Sequence, residues 1–329
     1  MPFQIIREDI TRVHCDAIVN AANRKLCGGG GVDGAIHAAA GEALQAECLR
    51  LGSCEVGQAK LTKGYRLPCR YVIHTVGPRW AGGGSGEPEQ LASCYRESLR
   101  LAQTVGCESV AFPLISSGAF AFPRELALQI AMDEIRRFLS DNDMLIYLVV
   151  FDRECFQVSK KLIWDITEYI DERYAATHLC TRNRPLFQSR AWNCADAALP
   201  QAAIQPPQDL NELLSTMDES FSQMLLRKID ERGISDAACY KKANIDRKLF
   251  SKIRSDPHYK PSKPTALAFA IALELPLWEA QDMLRKAGFA LSHSNKFDVI
   301  LEYFIQHQDY DIFRINETLF AFDQPLLGA

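Results

Sequence analysis

The sequence predicts an α/β fold, a sheet covered by helices on both faces, followed by a smaller all-α region. Three observations predict it. Short apolar strands alternate with helical stretches through the first 175 or so residues, the pattern of a sheet wrapped by its own crossovers. Several of those strands, such as 145–151, are apolar without interruption, as strands buried on both faces are. From Ser220 onward the apolar spacing is helical and no strand signal returns.

In chain order, strands are expected at Phe3–Ile6, Ala17–Val19, Tyr71–Val76, Val110–Ile115 and Met144–Phe151, with a further edge strand between Glu55 and Pro68. Helices are expected at Asp33–Leu51, Pro88–Val105, Pro123–Leu139 and Cys155–Tyr174. Residues 176–215, with RNRP and LPQAAIQPPQD, read as a linker between a domain spanning 1–175 and one spanning 216–329. In the latter, about six amphipathic segments are expected. Phe221, Leu225, Leu226 and Ile229 form the first stripe and Gly233 ends it. Ile234–Asn244 and Asp246–Arg254 follow as short helices, and Lys260–Phe289 supplies two more.

The totals bound the function. Apolar residues make up 47%, charged residues 24%, and the net charge is −4, which predicts no overall attraction to nucleic acid or an anionic membrane. No run approaches the length of a membrane span. The first residues, MPFQIIREDIT, lack the features of a secretory leader. Eleven cysteines occur without one C-x-x-C pair, so reduced thiols and a cytoplasmic location are expected.

The strongest local signal is DAIVNAANRKLCGGGGVDGAIHAAAG, residues 16–41. A strand ends near Asn20, four glycines follow, and a helix is expected to open at Asp33. Glycines let the backbone come close to a ligand, and free N–H groups at a helix start favour an anion. These residue types alone give a phosphate-binding loop. Gly29, Gly31 and Gly34 match G-x-G-x-x-G, but four consecutive glycines make that match cheap, and no ribose-binding acid follows at the expected distance. The lysine and hydroxyl of a Walker A loop are absent.

The segment closely resembles the first ligand loop of macrodomains of the MacroD type, with its NAAN and GGGGVDG followed by IH. EDIT at 8–11, GQAKLTKGYRLP at 57–68, YVIHTVGP at 71–78 and VAFPLISSGAFAFP at 110–123 resemble further motifs of that family in the same order. The resemblance covers roughly residues 3–173. It implies a three-layer fold with a mixed central sheet, and a hydrolase that removes mono-ADP-ribose from acidic protein side chains or deacetylates O-acetyl-ADP-ribose. The alternatives are a reader of ADP-ribose without turnover and an ADP-ribose-sensing DNA-binding regulator. The partners implied are ADP-ribose and a mono-ADP-ribosylated protein; no cofactor is implied.

Carried over residue by residue, the resemblance assigns Asp9 and Ile10 to adenine, although Asp9 also suits a helix-start cap. Ala22 and Gly28, Gly29, Gly30, Gly31 and Val32 would wrap the diphosphate and distal ribose from one side. Ser116, Ser117, Gly118, Ala119 and Phe120 would close from the other, their amides forming an anion nest. Phe151 matches an aromatic facing adenine, with core packing as its other reading. Asn23 and Asp33 are the catalytic candidates. Asn23 offers a donor and an acceptor, and Asp33 is placed to orient a hydroxyl or water or to act as general base, with helix capping as its plainer role. His37 and His74 are expected to be structural histidines with satisfied nitrogens. No metal is expected, since Cys27 alone offers too few ligands near the loop.

The order of motifs after residue 220 resembles a lambda-repressor-like (XRE-type) helix-turn-helix, with Asp246–Arg254 at the recognition position. Residues 227–263 carry eleven Lys or Arg against five acids, a net of +6. A DNA partner is one implication and a protein partner is the other, because the recognition position holds no Asn or Gln to read adenine.

Overall fold

The computed structural model describes residues 3–150, 167–169 and 219–328. Phe151, most of the expected helix Cys155–Tyr174 and the expected linker 176–215 lie outside the described residues.

The first part runs β1 (Phe3–Ile6), β2 (Ala17–Ala21), α1 (Gly31–Ala40), α2 (Glu42–Leu51), β3 (Ala59–Lys63), β4 (Tyr71–Thr75), α3 (Glu87–Thr104), β5 (Ser109–Pro113), α4 (Arg124–Asp141) and β6 (Leu145–Val149). The six strands form one mixed sheet in the order β1-β6-β5-β2-β4-β3. All neighbours are parallel except the antiparallel edge pair β3–β4. Side chains alternate across it as the period of two requires. Ala17, Val19, Ile73, Val110 and Phe112 enter a core shared with α3 and α4. Ile18, Val72 and Ala111 enter a second core shared with α1 and α2. The expected three layers, a mixed sheet between two helical layers, are what the chain forms.

Most boundaries shift by one or two residues, and the region of the first two helices differs most. The single helix expected over Asp33–Leu51 is two helices, because Gly41 between them has φ +83° and ends α1, the role of a C-terminal glycine. The first of them opens two residues early, with Gly30 at its cap.

The second part holds seven helices among the described residues, where about six were expected: α5 (Phe221–Glu231), α6 (Asp236–Lys242), α7 (Arg247–Ser255), α8 (Lys263–Ala272), α9 (Leu277–Lys286), α10 (Lys296–Gln306) and α11 (Ile312–Ala321). Every residue from Thr265 to Ala272 is buried, so α8 is the central post. Among the described residues, no helix is long and apolar enough to cross a membrane.

The helical part covers the open edge of the sheet. Asn244, in the α6–α7 turn with φ +55°, accepts from the Phe3 amide (2.5 Å) and donates to the Phe3 carbonyl (2.8 Å). Its amide group thus occupies part of the place of a neighbouring strand, the remedy that an exposed edge calls for. Beside it Phe313 stacks on Phe3 at 5.4 Å. Arg136 of α4 grips both oxygens of Asp311 at 2.9 Å.

Candidate functional site

The parallel strands all end at the same side of the sheet, where ligands of open α/β folds collect. There a cleft of about 420 Å³ is lined by Glu8, Asp9 and Ile10 after β1, Gly31, Val32 and Ala35 of α1, Pro113, Leu114 and Ser117 after β5, and Val149 and Val150 at the end of β6. The glycine loop and the small-residue loop therefore face one cavity. A second cavity of the same size, between α4 and the helical part, is lined by Arg136, Lys242 and Phe313. Its cations are already engaged, Arg136 with Asp311, Lys242 with Glu274 and Lys241 with the Ser140 carbonyl.

Both loops use left-handed backbone, free of cost at the glycines of the first and strained in the second. Gly28 and Gly31 have φ of +66° and +62°, and in the second loop Ser116 has φ +64° and Ala121 φ +54°. Non-glycine residues in this region carry a cost that functional sites tend to tolerate. Gly34 shows why the first loop can lie so close to α1. A Cβ there would stand 2.4 Å from the Gly29 carbonyl oxygen.

Behind the glycines lies a buried polar cluster. Asp33 is 4% exposed. Its Oδ1 accepts from Asn20 Nδ2 at 2.7 Å, its Oδ2 accepts from Asn23 Nδ2 at 3.2 Å, and His37 Nε2 stands 3.5 Å away. Asp33 makes no capping bond to its helix; with both oxygens taken by amides, the plainer expectation of a helix cap fails. Gly29 covers this carboxylate, and a Cβ there would be 3.1 Å from Asp33 Oδ2, so the missing side chain leaves the approach from the loop open.

The two histidines part ways. His74, wholly buried in β4, meets Asn20 Nδ2 through Nδ1 (3.1 Å) and the Thr62 hydroxyl through Nε2 (2.9 Å). Asn20 donates to Nδ1, so the fitting tautomer carries its proton on Nε2. Burial holds its pKa down at about 3, so it is neutral. His37 corrects the expectation of a satisfied histidine, because neither ring nitrogen has a hydrogen-bond partner. The Asn20 Oδ1 and Ser116 Oγ atoms are likewise buried and unpaired. His37, Cys48 and His74 bring three potential metal-ligand atoms within 4.8 Å of one another. Thr62 already occupies His74 Nε2, and burial pushes the Cys48 thiol up to about 11, which favours a hydrogen-bonded core over a coordination site.

At the other end of the cleft, Asp9 is half-buried and caps a short 3₁₀ turn at Ile10–Arg12. The Thr11 hydroxyl and amide donate to its Oδ1 at 2.7 and 2.9 Å, and these bonds hold its carboxyl below the ordinary value. Ala22 and Ile10 are buried, while Gly29, Gly30, Gly31, Gly118 and Ala119 are exposed. Phe120 is half-buried beneath the Arg79 guanidinium, 5.8 Å from its ring. Sequence reasoning missed Asn20, whose signal was an amide in an otherwise apolar central strand.

The sequence pattern of the family described as Macro domain matches residues 19–131. A macro domain-containing protein of Methanosarcina mazei is 51% identical over 162 residues, covering 49% of this chain and 87% of that protein. The ADP-ribose glycohydrolase MACROD2 of Homo sapiens is 49% identical over 162 residues, which are 48% of this chain and 38% of the human protein. Among solved structures, the Trypanosoma brucei macrodomain in complex with ADP-ribose is 41% identical, covering 49% of this chain and 68% of that one with a TM-score of 0.45.

Proposed function

The chain belongs to the Macro domain family, and from that premise we propose that its cleft binds ADP-ribose and hydrolyses mono-ADP-ribose from acidic protein side chains, with O-acetyl-ADP-ribose as a second ester substrate. Hydrolase activity is supported by the relatives named ADP-ribose glycohydrolase MACROD2 in human, mouse and Xenopus. The observation that carries the reading for this chain is the Asp33 carboxylate, fixed by Asn20 and Asn23 directly beneath the glycine loop.

In this reading Asp9 accepts from the adenine amino group, the Ile10 amide meets a ring nitrogen, and Ala22 backs the first loop. Amides of Gly28–Val32 and Ser116–Ala119 hold the diphosphate, since loop amides suit an anion without a cation in the cleft. Phe120 packs on the distal ribose. Water adds across the bond between the ribose carbon and the carboxyl oxygen, giving free ADP-ribose and the carboxylic acid. Asn23 and Asp33 orient the ribose hydroxyl and the water. Positioning or general-base help of this kind is worth roughly 10²–10⁴-fold.

The test is incubation with proteins mono-ADP-ribosylated on glutamate, and separately on arginine, with free ADP-ribose measured. Release from the glutamate ester alone is expected. Tight ADP-ribose binding without release from either would make the protein a reader.

For the helical part, the reading of residues 216–329 as an XRE-like helix-turn-helix domain following a 1–175 macrodomain is favoured by α7. That helix exposes Arg247, Lys248 and Lys252, none with an ion pair among the described residues. A duplex affinity that falls steeply with salt would support a nucleic-acid partner; none at low salt leaves a protein partner.

A further inference from the structure

The strand order lays the cleft out as a line. From the end of β1 to the end of β4 there are four strand intervals, roughly 19 Å at about 4.8 Å each. Asp9 stands at the first of these ends, and the Pro113–Ser117 segment and the glycine loop follow β5 and β2 in the middle. Arg79 stands just beyond the last, four residues after Thr75 ends β4. The segment that carries it is held against the second ligand loop. A Cβ on Gly77 would lie 2.1 Å from Ser116 Oγ, so the chain leaving β4 runs against that loop. The Trp80 amide donates to the Phe120 carbonyl at 2.9 Å. The Arg79 guanidinium lies over the Phe120 ring, a placement that holds it without neutralising it.

Charge is divided along this line. The cleft lining contains Glu8 and Asp9 and no cation. Beyond the glycine loop the rim carries Arg79, and Arg24 and Lys25 follow β2; all three are exposed, without an ion pair among the described residues. In the hydrolase reading above, free cations at the end farthest from Asp9 face whatever projects past the distal ribose.

We propose that Arg79 recognises carboxylates flanking the modified side chain, so that the preferred substrate is mono-ADP-ribosylated within an acidic protein segment. This rests on the hydrolase reading above, in which the modified residue leaves the cleft at that end. The diphosphate lies between the two loops and is served by their amides, whereas Arg79 stands one strand further out. An exposed charge of this kind sets selectivity and encounter more than catalytic rate.

The experiment uses the full chain and two peptides mono-ADP-ribosylated on glutamate, one with acidic and one with basic flanks. The expected result is a lower KM for the acidic peptide, with R79A raising that KM about threefold to fivefold at low salt. In R79E the preference reverses. In both variants kcat, turnover of O-acetyl-ADP-ribose and affinity for free ADP-ribose stay at the native level. The proposal is overturned if R79A leaves the two KM values unchanged, or if it weakens free ADP-ribose as much as the peptide. If the native chain releases ADP-ribose from neither peptide, the hydrolase reading fails; peptide affinities in the same variants then decide the role of Arg79 by the same criteria.

Discussion

Asp9 in the cleft and Asp33 behind it are the same chemical group in opposite surroundings. Asp9 stands at the open end, half-buried, with its Oδ1 engaged by the neighbouring Thr11. Asp33 lies beneath the glycine loop, 4% exposed, with one oxygen taken by Asn20 and the other by Asn23. A carboxylate near solvent with a spare oxygen suits reversible recognition of a donor. A carboxylate clamped by two amides has little freedom left to lose, which suits it to holding a reacting group in one geometry. In the proposed function, affinity belongs to one end and rate to the other, and each half of that division can be tested alone.

The largest effect is expected from the support beneath Asp33. His74 has a pKa near 3 in the fold against an ordinary 6.5. Between those values the unfolded chain binds a proton that the native chain refuses, so stability falls as pH falls through that window. The loss by pH 5 is about 2 kcal/mol, measurable as a lower denaturation midpoint than at pH 7. In His74→Gln the fall should be shallower. An identical fall in both proteins would show that the site's support titrates elsewhere.

A smaller effect separates the ends. Asp9→Ala should raise the dissociation constant for ADP-ribose about tenfold, the worth of one hydrogen bond to a charged group, while kcat stays within about twofold. Calorimetry and turnover under saturation check this; a large drop in kcat would break the division. Smallest of all is Cys27→Ala. This thiol is exposed and touches Asn23 Oδ1 only at 3.6 Å. Activity should therefore remain within about twofold, as at ordinary surface positions.

Much of the fold was legible because its signals are local. Phe3–Ile6 is found as expected from its apolar run, and Gly233 does end α5 through a turn of the chain at φ +61°. The split at Gly41 was equally local, a glycine after AAA, and went unread. Asn20 and His37 illustrate the other kind of information. Whether an amide in a buried strand reaches an aspartate thirteen residues on, or a histidine is left without a hydrogen-bond partner, depends on how α1 lies across the sheet. Asn244 is further removed still. Its bond to Phe3 spans 241 residues, and no spacing in the sequence reports it.

The most direct measurement is a single substitution read two ways. Asp33→Asn keeps the shape of the side chain and removes its charge. Release of ADP-ribose from a glutamate-linked substrate is expected to fall at least about a hundredfold, while the affinity for free ADP-ribose changes by less than about threefold. Hydrolysis at the native rate, or loss of binding in step with loss of hydrolysis, would contradict this role for Asp33.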